Sequence, residues 1–382
     1  MPKFSRQKLV HAQQLIQRNA LFGEWAGQLA RFVAKPERIA LFVCARGGGS
    51  PRIPLSQFQL FMDERKAIKE RFGVTPWFVF DDAIDKIPVA VLERLSHLCI
   101  QTHYDVTTED YHQLLERLLA KSPDAKVIHF DLTAPADLRQ AKPTFARADI
   151  FVKKHVLKDR KSYNQPTIGM TNLSNHYASQ FKIEKERHEI NVPDGFFQKL
   201  EIGPTFYTEF GMRRAFESSS PDKWLVDRPI DVHARFGTTG VDWYKAMREQ
   251  ALATIEKLQS PNVLTEFPVP LPQYISEMAR SKICFSPFGY GEVCWRDFEA
   301  MSMGALLIKP DVSHIELSPD VLIPNETYVP LKWDCSDLEE KIAYYLAHPD
   351  ERMAIVRNGF LKLQSYFRDR SFEGHLDRVF AH

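Results

Sequence analysis

The densest cluster of chemically capable residues lies between Ser281 and Pro310, SKICFSPFGYGEVCWRDFEAMSMGALLIKP. An apolar run ends at Ser286-Pro287, and Gly289 and Gly291 loosen the turn after it. A helix is expected from about Val293 to Met303, ended by Gly304 ahead of a second apolar run. A glycine-rich turn that opens a helix presents unpaired backbone N–H groups and the positive end of the helix dipole, which suits phosphate. Glu292, Arg296 and Glu299 are spaced four and three apart, so one helix face should carry all three. An arginine there can clamp a diphosphate through parallel N–H donors. A carboxylate one turn further on can accept from ribose hydroxyls. The competing reading is an exposed intrahelical salt-bridge ladder worth a few tenths of a kcal/mol.

Other candidates sit at the ends of apolar runs. His103 and Asp105 follow LCIQTH, His129 and Asp131 close AKVIHFDL, and Asp81 and Asp82 follow PWFVF. A histidine or aspartate at a strand end can act as general base toward an attacking hydroxyl, although each residue type is more often structural. Asp231, in a later strand, is expected to be structural, with a nucleophilic role if the mechanism were double displacement. The basic run Lys153-Lys154-His155 with Lys158-Asp159-Arg160-Lys161 reads as a solvated face, or as an attractor for an anionic ligand. Gly47-Gly48-Gly49 tempts a dinucleotide reading, but the third fingerprint glycine is replaced by Arg52. A glycine-rich phosphate loop or a plain tight turn then remains. No D-x-D triplet occurs.

These residues need a scaffold, and the pattern supplies an α/β one. Helical spacing over Ser5–Phe32 precedes apolar runs at Arg38–Ala45, Pro76–Phe80, Leu98–His103, Ala125–Leu132 and Ala148–Val152, with helix-like stretches at Leu55–Arg71 and Thr108–Lys121. The pattern decays from about Asp159 to Asp227, then resumes with runs at Ile230–Phe236, Asn262–Phe267, Ile283–Ser286 and Ala305–Ile308. Helices are expected between these runs, and Leu338–His348 and Asp350–Phe367 close the pattern. Strands alternating with helices imply parallel sheets covered on both faces. The division that follows is an N-terminal unit over 1–190 and an irregular linker over 191–227. A second unit over 228–367 comes next, then a C-terminal helix over 368–382 that can pack back on the first unit. Ligands of open parallel sheets bind beyond the carboxyl ends of the strands, which puts the site between the units.

The chain's 382 residues suit two domains. Fifty basic residues against 49 acidic ones give a net charge of +1, which argues against a nucleic-acid-coating protein. Apolar residues at 44% and aromatic residues at 12% exclude a disordered chain. The five cysteines are scattered without a C-x-x-C and read as small apolar residues in a reducing compartment. No apolar signal core opens the sequence, and no run reaches the roughly 18 residues needed to span a bilayer. A cytoplasmic location, at most peripheral to the inner face of a membrane, is the expectation.

The 281–310 segment resembles the donor-nucleotide half of GT-B glycosyltransferases, especially the exostosin-like and family 1 C-terminal domains. The matching positions are Ser286-Pro287, Gly289, Arg296, Glu299-Ala300 and Gly304. Tyr328-Val329-Pro330-Leu331, Asp337-Leu338, His348-Pro349-Asp350-Glu351-Arg352 and Asn358-Gly359 are similar to the tail of such domains. Asp231-Val232, Phe236-Gly237-Thr238 and Arg248 resemble their opening strand and phosphate loop. The resemblance implies two Rossmann-like parallel-sheet domains facing across a cleft, with an N-terminal helix and C-terminal helices. It implies a nucleotide-sugar donor as substrate, a glycan or lipid-linked acceptor in bacterial surface polysaccharide or lipopolysaccharide synthesis, and neither cofactor nor metal. Glu299 would hold ribose or sugar hydroxyls. Arg296 and the Gly237-Thr238 loop would meet phosphate, the Gly289-Tyr290 turn would face the sugar, and Arg248 and Ser286 would complete the donor-binding set. Many retaining members carry a second glutamate eight positions before the equivalent of Glu299, where this chain has Gly291. Glu292 is one place off, so retention is not implied. The alternatives are an NAD(P)-dependent oxidoreductase, which lacks its glycine fingerprint here, and a non-catalytic nucleotide- or sugar-binding module.

Overall fold

The apolar runs form the inner strands of two parallel sheets. The computed structural model describes residues 37–46, 52–204, 211–224, 227–258 and 262–381. The helix expected over Ser5–Phe32 and the Gly47–Gly49 loop lie outside the described residues. The strands of the first half are β1 (Arg38–Cys44), β2 (Val74–Phe80), β3 (Leu95–Ile100), β4 (Lys126–Phe130) and β5 (Ile150–Lys153). Three short ones follow, β6 (His155–Leu157), β7 (Thr167–Ile168) and β8 (Arg187–His188), and then β9 (Leu200–Ile202). The first sheet runs β2-β1-β3-β4-β5-β9, with every neighbour parallel.

In β1 successive side chains enter different cores, as the two-residue period of a strand requires. Ile39, Leu41 and Val43 pack with Trp77, Leu98 and Ile100 beneath the helix Thr108–Leu119, from which Tyr111, Leu115 and Leu118 point inward. That helix starts where Thr107 accepts a bond from the Asp110 amide at 3.1 Å. Ala40, Phe42 and Cys44 face the other side, where Phe42 meets Phe58 and Phe61 at 5.1 Å and Phe78 at 4.6 Å. Burial on both faces explains why RIALFVC is continuously apolar. Full burial of one such side chain contributes about 1.5–3 kcal/mol.

The second half contributes β10 (Ile230–His233), β11 (Val263–Leu264), β12 (Ser281–Phe285), β13 (Leu306–Pro310), β14 (Ile315–Leu317) and β15 (Val329–Leu331). Its sheet runs β11-β10-β12-β13-β15, again all parallel. Both sheets therefore contain the doubly wound 2-1-3-4-5 order, in which the strand order reverses between the first and third strands. The expected pair of Rossmann-like units is present.

Three features depart from the sequence reading. The 191–227 stretch is not simply a linker, because β9 lies within it and extends the first sheet through parallel pairing with β5. Three half-buried residues between Gly195 and Gly203 carry too short a pattern to register as a strand. The Leu55–Arg71 stretch is three short helices, Arg52–Ser56, Gln59–Asp63 and Arg65–Phe72. An antiparallel ribbon of β6 with β14 ties the first unit to the second.

At the C-terminal end, the helix Glu373–Phe380 lies on the first unit. Phe380 meets His97 at 5.3 Å and Phe72 at 5.5 Å, and Arg71 bonds Asp377 at 2.7 Å. No helix among the described residues is long and apolar enough to cross a membrane.

Candidate functional site

The topological switch point of the second sheet lies between β10 and β12, and the loops leaving these two strands are 234–241 and 286–294. Gly237 and Thr238 lie in the first, Ser286, Gly289 and Tyr290 in the second, and Arg296 and Glu299 on the helix Trp295–Met303 that follows it. Residues distant in sequence are thus brought to one sheet end.

Arg248 joins the two loops. It is buried on the helix Asp242–Glu256, donating Nη1 to the Gly237 carbonyl at 2.8 Å and Nε to the Phe288 carbonyl at 2.9 Å. Burial and then the neighbouring Arg296 charge lower its pKa to about 10. Expected among the donor-binding residues, Arg248 spends Nε and Nη1 on shaping the loops. Ser286 is corrected in the same way: it is fully buried and donates to Asp297 at 2.6 Å, so its hydroxyl supports the turn from behind. Tyr290 is partly exposed, stacks on Tyr244 at 4.3 Å, and its hydroxyl accepts from the Val241 amide at 3.3 Å.

Arg296 is held differently. Nη2 donates to the Arg235 carbonyl at 3.2 Å, but Nε and Nη1 are buried without a hydrogen-bond partner. Arg235 is itself committed to Glu277, at 2.5 and 3.0 Å, and to the Glu266 carbonyl. Glu299, one turn beyond Arg296, accepts from the Tyr274 hydroxyl at 3.0 Å. A guanidinium with two orphaned donors at a helix N-terminus is a cation prepared for an oxyanion. Tyr274 and His233, which meet at 4.9 Å, were not evident from sequence, because the spacing of LPQYISEMA marks a buried helix face without naming its partner.

Glu292 precedes the helix rather than standing on its exposed face, and it is 1% exposed. One of its oxygens accepts from the Ala136 amide and from His155 Nε2, both at 3.0 Å, and the other lies 3.8 Å from His314 Nε2. Burial opposes the charge, but these two imidazoles outweigh it and hold the carboxyl well below the usual range. Ala136 and His155 belong to the first unit, so this carboxylate pins the junction. Gly291 shows how close the units come: a Cβ there would stand 2.0 Å from the Ala134 carbonyl oxygen. The salt-bridge ladder reading fails for Glu292.

The basic run at 153–155 is also not a solvated face. Lys153 and His155 are fully buried. Lys153 bonds Asp131 at 2.9 Å, and that contact with two bonds from Thr133 holds the Asp131 carboxyl low against the opposing effect of burial.

Among the base candidates, Asp131 is consumed in this pair. His129 is fully buried, stacked on Phe151 at 5.1 Å and bonded to Gln140 at 3.0 Å. Asp231 sits at the amino end of β10, opposite to the ligand end, and bonds Lys282 at 2.6 Å. His129 and Asp131, expected as base candidates, thus occupy structural positions, and Asp231 stands in the structural place expected of it. His103 follows β3, at the switch point of the first sheet, with its half-exposed ring 3.5 Å from Asp81.

Burial lowers His129, His233 and His375 to about 4 from an ordinary 6.5. A group that folding keeps neutral contributes stability above its unfolded pKa and loses it as pH falls through the folded value. Each such histidine is worth up to about 3 kcal/mol. The urea midpoint should therefore be flat above pH 7 and fall steeply from about 6.5 toward 4. A midpoint unchanged between pH 7 and 5 would contradict neutral burial of these rings.

Residues 222–375 match the model of a family described as glycosyl transferase-like. No curated protein sequence matches the chain. Among solved structures, a glycosyltransferase from Rickettsia africae ESF-5 is similar at 11% identity and a TM-score of 0.49, over 91% of this chain and 100% of that one. Anabaena HepE in complex with UDP-glucose is similar at 8% identity and a TM-score of 0.46, over 89% and 99%. WaaG, a glycosyltransferase involved in lipopolysaccharide biosynthesis, is similar at 14% identity and a TM-score of 0.44, over 90% and 100%. The match over 222–375 covers the second unit with its 2-1-3-4-5 strand order and glycine turns, and the C-terminal region of this chain is similar to a glycosyl transferase-like domain.

Proposed function

We propose that the protein transfers a glycosyl group from a nucleoside diphosphate sugar to an acceptor hydroxyl. The observation that carries this is the Arg296 guanidinium, buried at the carboxyl end of the second sheet with Nε and Nη1 unpartnered. When the acceptor oxygen bonds to the anomeric carbon, the bond to the diphosphate breaks and negative charge grows on the leaving group. A fixed cation in a site shielded from water stabilises that charge without reorganising. Glu299 accepts from ribose hydroxyls, and the Gly237–Thr238 and Gly289–Tyr290 turns close around the diphosphate and sugar. His103, with Asp81 beside it, takes the acceptor proton. The reading includes a metal-independent donor site, a surface glycan or lipid-linked acceptor of a bacterial envelope, and a cytoplasmic protein working beside the membrane.

UDP, GDP or ADP should raise the melting temperature with EDTA present, and NAD should not. His103→Gln should keep that shift while slowing nucleotide release in the presence of acceptor by about 100-fold. If none of the three nucleotides protects the fold, the donor reading fails. Protection by NAD alone would return the oxidoreductase reading.

A further inference from the structure

A cavity of about 400 Å³ opens where the last two helices meet the loop after β14, and none of Gly237, Gly289, Arg296 or Glu299 lines it. Small-molecule pockets span roughly 300–1,000 Å³. Three elements make its walls. The helix Pro349–Arg368 contributes Lys362 and Ser365, the segment after it contributes Ser371, His375 and Arg378, and the loop after β14 contributes Ser318. Both units take part. Ser318 bridges to Pro204, just past β9, and the helix Glu373–Phe380 lies on the first unit.

The lining selects a charge. It holds a lysine and an arginine, and no aspartate or glutamate among the described residues. Asp320 and Glu373 neighbour lining residues in sequence but do not line the cavity, and Glu373 is held by Arg370 at 2.5 Å. Lys362 forms no ion pair with a described residue. Arg378 bonds Glu201 of β9 through Nη1 at 3.1 Å, and its side chain is still 48% exposed. A guanidinium carries five N–H donors, so that contact leaves most of them available. The Arg378 charge also reaches His375. Burial and then this charge lower the ring to about 4, so the imidazole adds a neutral hydrogen-bonding group at pH 7.

Hydroxyls supply the rest. Ser365 donates to the Lys362 carbonyl at 2.9 Å, whereas the Ser318 and Ser371 side chains bond no described residue. Two cations with hydroxyls between them match the double charge and three acceptor oxygens of a phosphate monoester. A neutral ligand would leave both charges without a counterpart.

We propose that this cavity binds a phosphate monoester, with Lys362 and Arg378 taking its charge and the serine hydroxyls its remaining oxygens. Lys362 belongs to a helix of the second unit and Arg378 to the helix packed on the first, so a bound phosphate joins them across the seam. The site does not rest on the glycosyl-transfer reading.

Calorimetric titration of inorganic phosphate and of glycerol 3-phosphate into the full chain tests it, in chloride at fixed ionic strength with excess UDP to occupy the donor side. At least one should bind. Lys362→Met should weaken binding by about tenfold or more, the loss of one charge-assisted contact. Lys362→Arg should retain it. Lys245→Met makes the same change of charge on a helix that does not line the cavity and should leave binding unchanged. The UDP melting shift should be equal in all four chains. If Lys362→Met does not fold, Ser318→Ala provides the second variant and should weaken binding in the same direction. Failure of both phosphates to bind, or binding that survives these variants, overturns the proposal. Phosphate binding that depends on Lys362 in a chain that UDP does not protect keeps this site and removes the donor reading. Vesicles of phosphatidylcholine containing phosphatidic acid identify the source. Cosedimentation abolished by Lys362→Met assigns the site to a lipid headgroup, and phosphate binding without cosedimentation assigns it to a free phosphate ester.

Discussion

Arg296→Met should raise the melting temperature of the nucleotide-free protein and at the same time abolish nucleotide protection. Two buried N–H groups without partners each carry an uncompensated desolvation cost of about 1–3 kcal/mol. The guanidinium also lies near another cation, since its charge lowers the pKa of Arg248. Methionine fills much of the same volume without charge or orphaned donors. A gain of about 2–3 kcal/mol moves the midpoint of a domain of this size upward by roughly 4–10 °C. Turnover should fall by about 100-fold or more, as when one preorganised donor to a developing oxyanion is removed. An activity-linked residue whose loss stabilises the empty protein is the mark of a site built for its ligand. Melts of wild type and variant, with and without UDP, check both halves. A destabilised variant that still gains from UDP would show the arginine to be structural.

Glu292→Ala should cost about 3–5 kcal/mol, the penalty for breaking a buried charged contact from one side. The substitution strips the Ala136 amide and His155 Nε2 of their common acceptor, and both are buried. Glu292→Gln keeps one oxygen in that place and should cost about 1 kcal/mol. Because the carboxylate spans two units, the loss should appear as separation as well as destabilisation. Small-angle scattering should give a larger radius of gyration for the alanine variant, and urea unfolding should broaden or split. Equal midpoints for Ala and Gln would remove the junction role. A lower midpoint with an unchanged radius would show that the β6–β14 ribbon and the helix Glu373–Phe380 keep the units docked without this carboxylate.

Both sheets were readable because their strands are apolar on both faces. RIALFVC, PWFVF and SKICFS stand out where one-sided strands would not. The glycine turn and Arg-x-x-Glu-Ala were readable because a helix N-terminus beside a strand has few sequence solutions. What escaped depends on pairing across the fold. β6 and β14 have three residues each and find one another across more than 150 positions, too short a pattern to register. The 153–155 run looked solvated because charge alone does not announce a buried partner, and the partners, Asp131 and Glu292, lie 22 residues before Lys153 and 137 after His155. His129 and Asp131 sit at a strand end as expected, but a strand end covered by a neighbouring loop is interior. Only the Thr133–Asp137 loop and Gln140 reveal that.

The helix Glu373–Phe380 has a consequence for how the chain is made. Phe380 and Leu376 belong to the same apolar cluster as Phe42 and Phe58, so the first unit's core is closed by residues more than 300 positions later. A ribosome releases the N-terminal sheet long before the segment that covers it exists. Until then, the face bearing Phe61, Phe72 and His97 must wait uncovered, a surface for chaperones or for the same segment of another copy. The two units are thus separate in architecture but joined in synthesis, and the first cannot be finished without the end of the second.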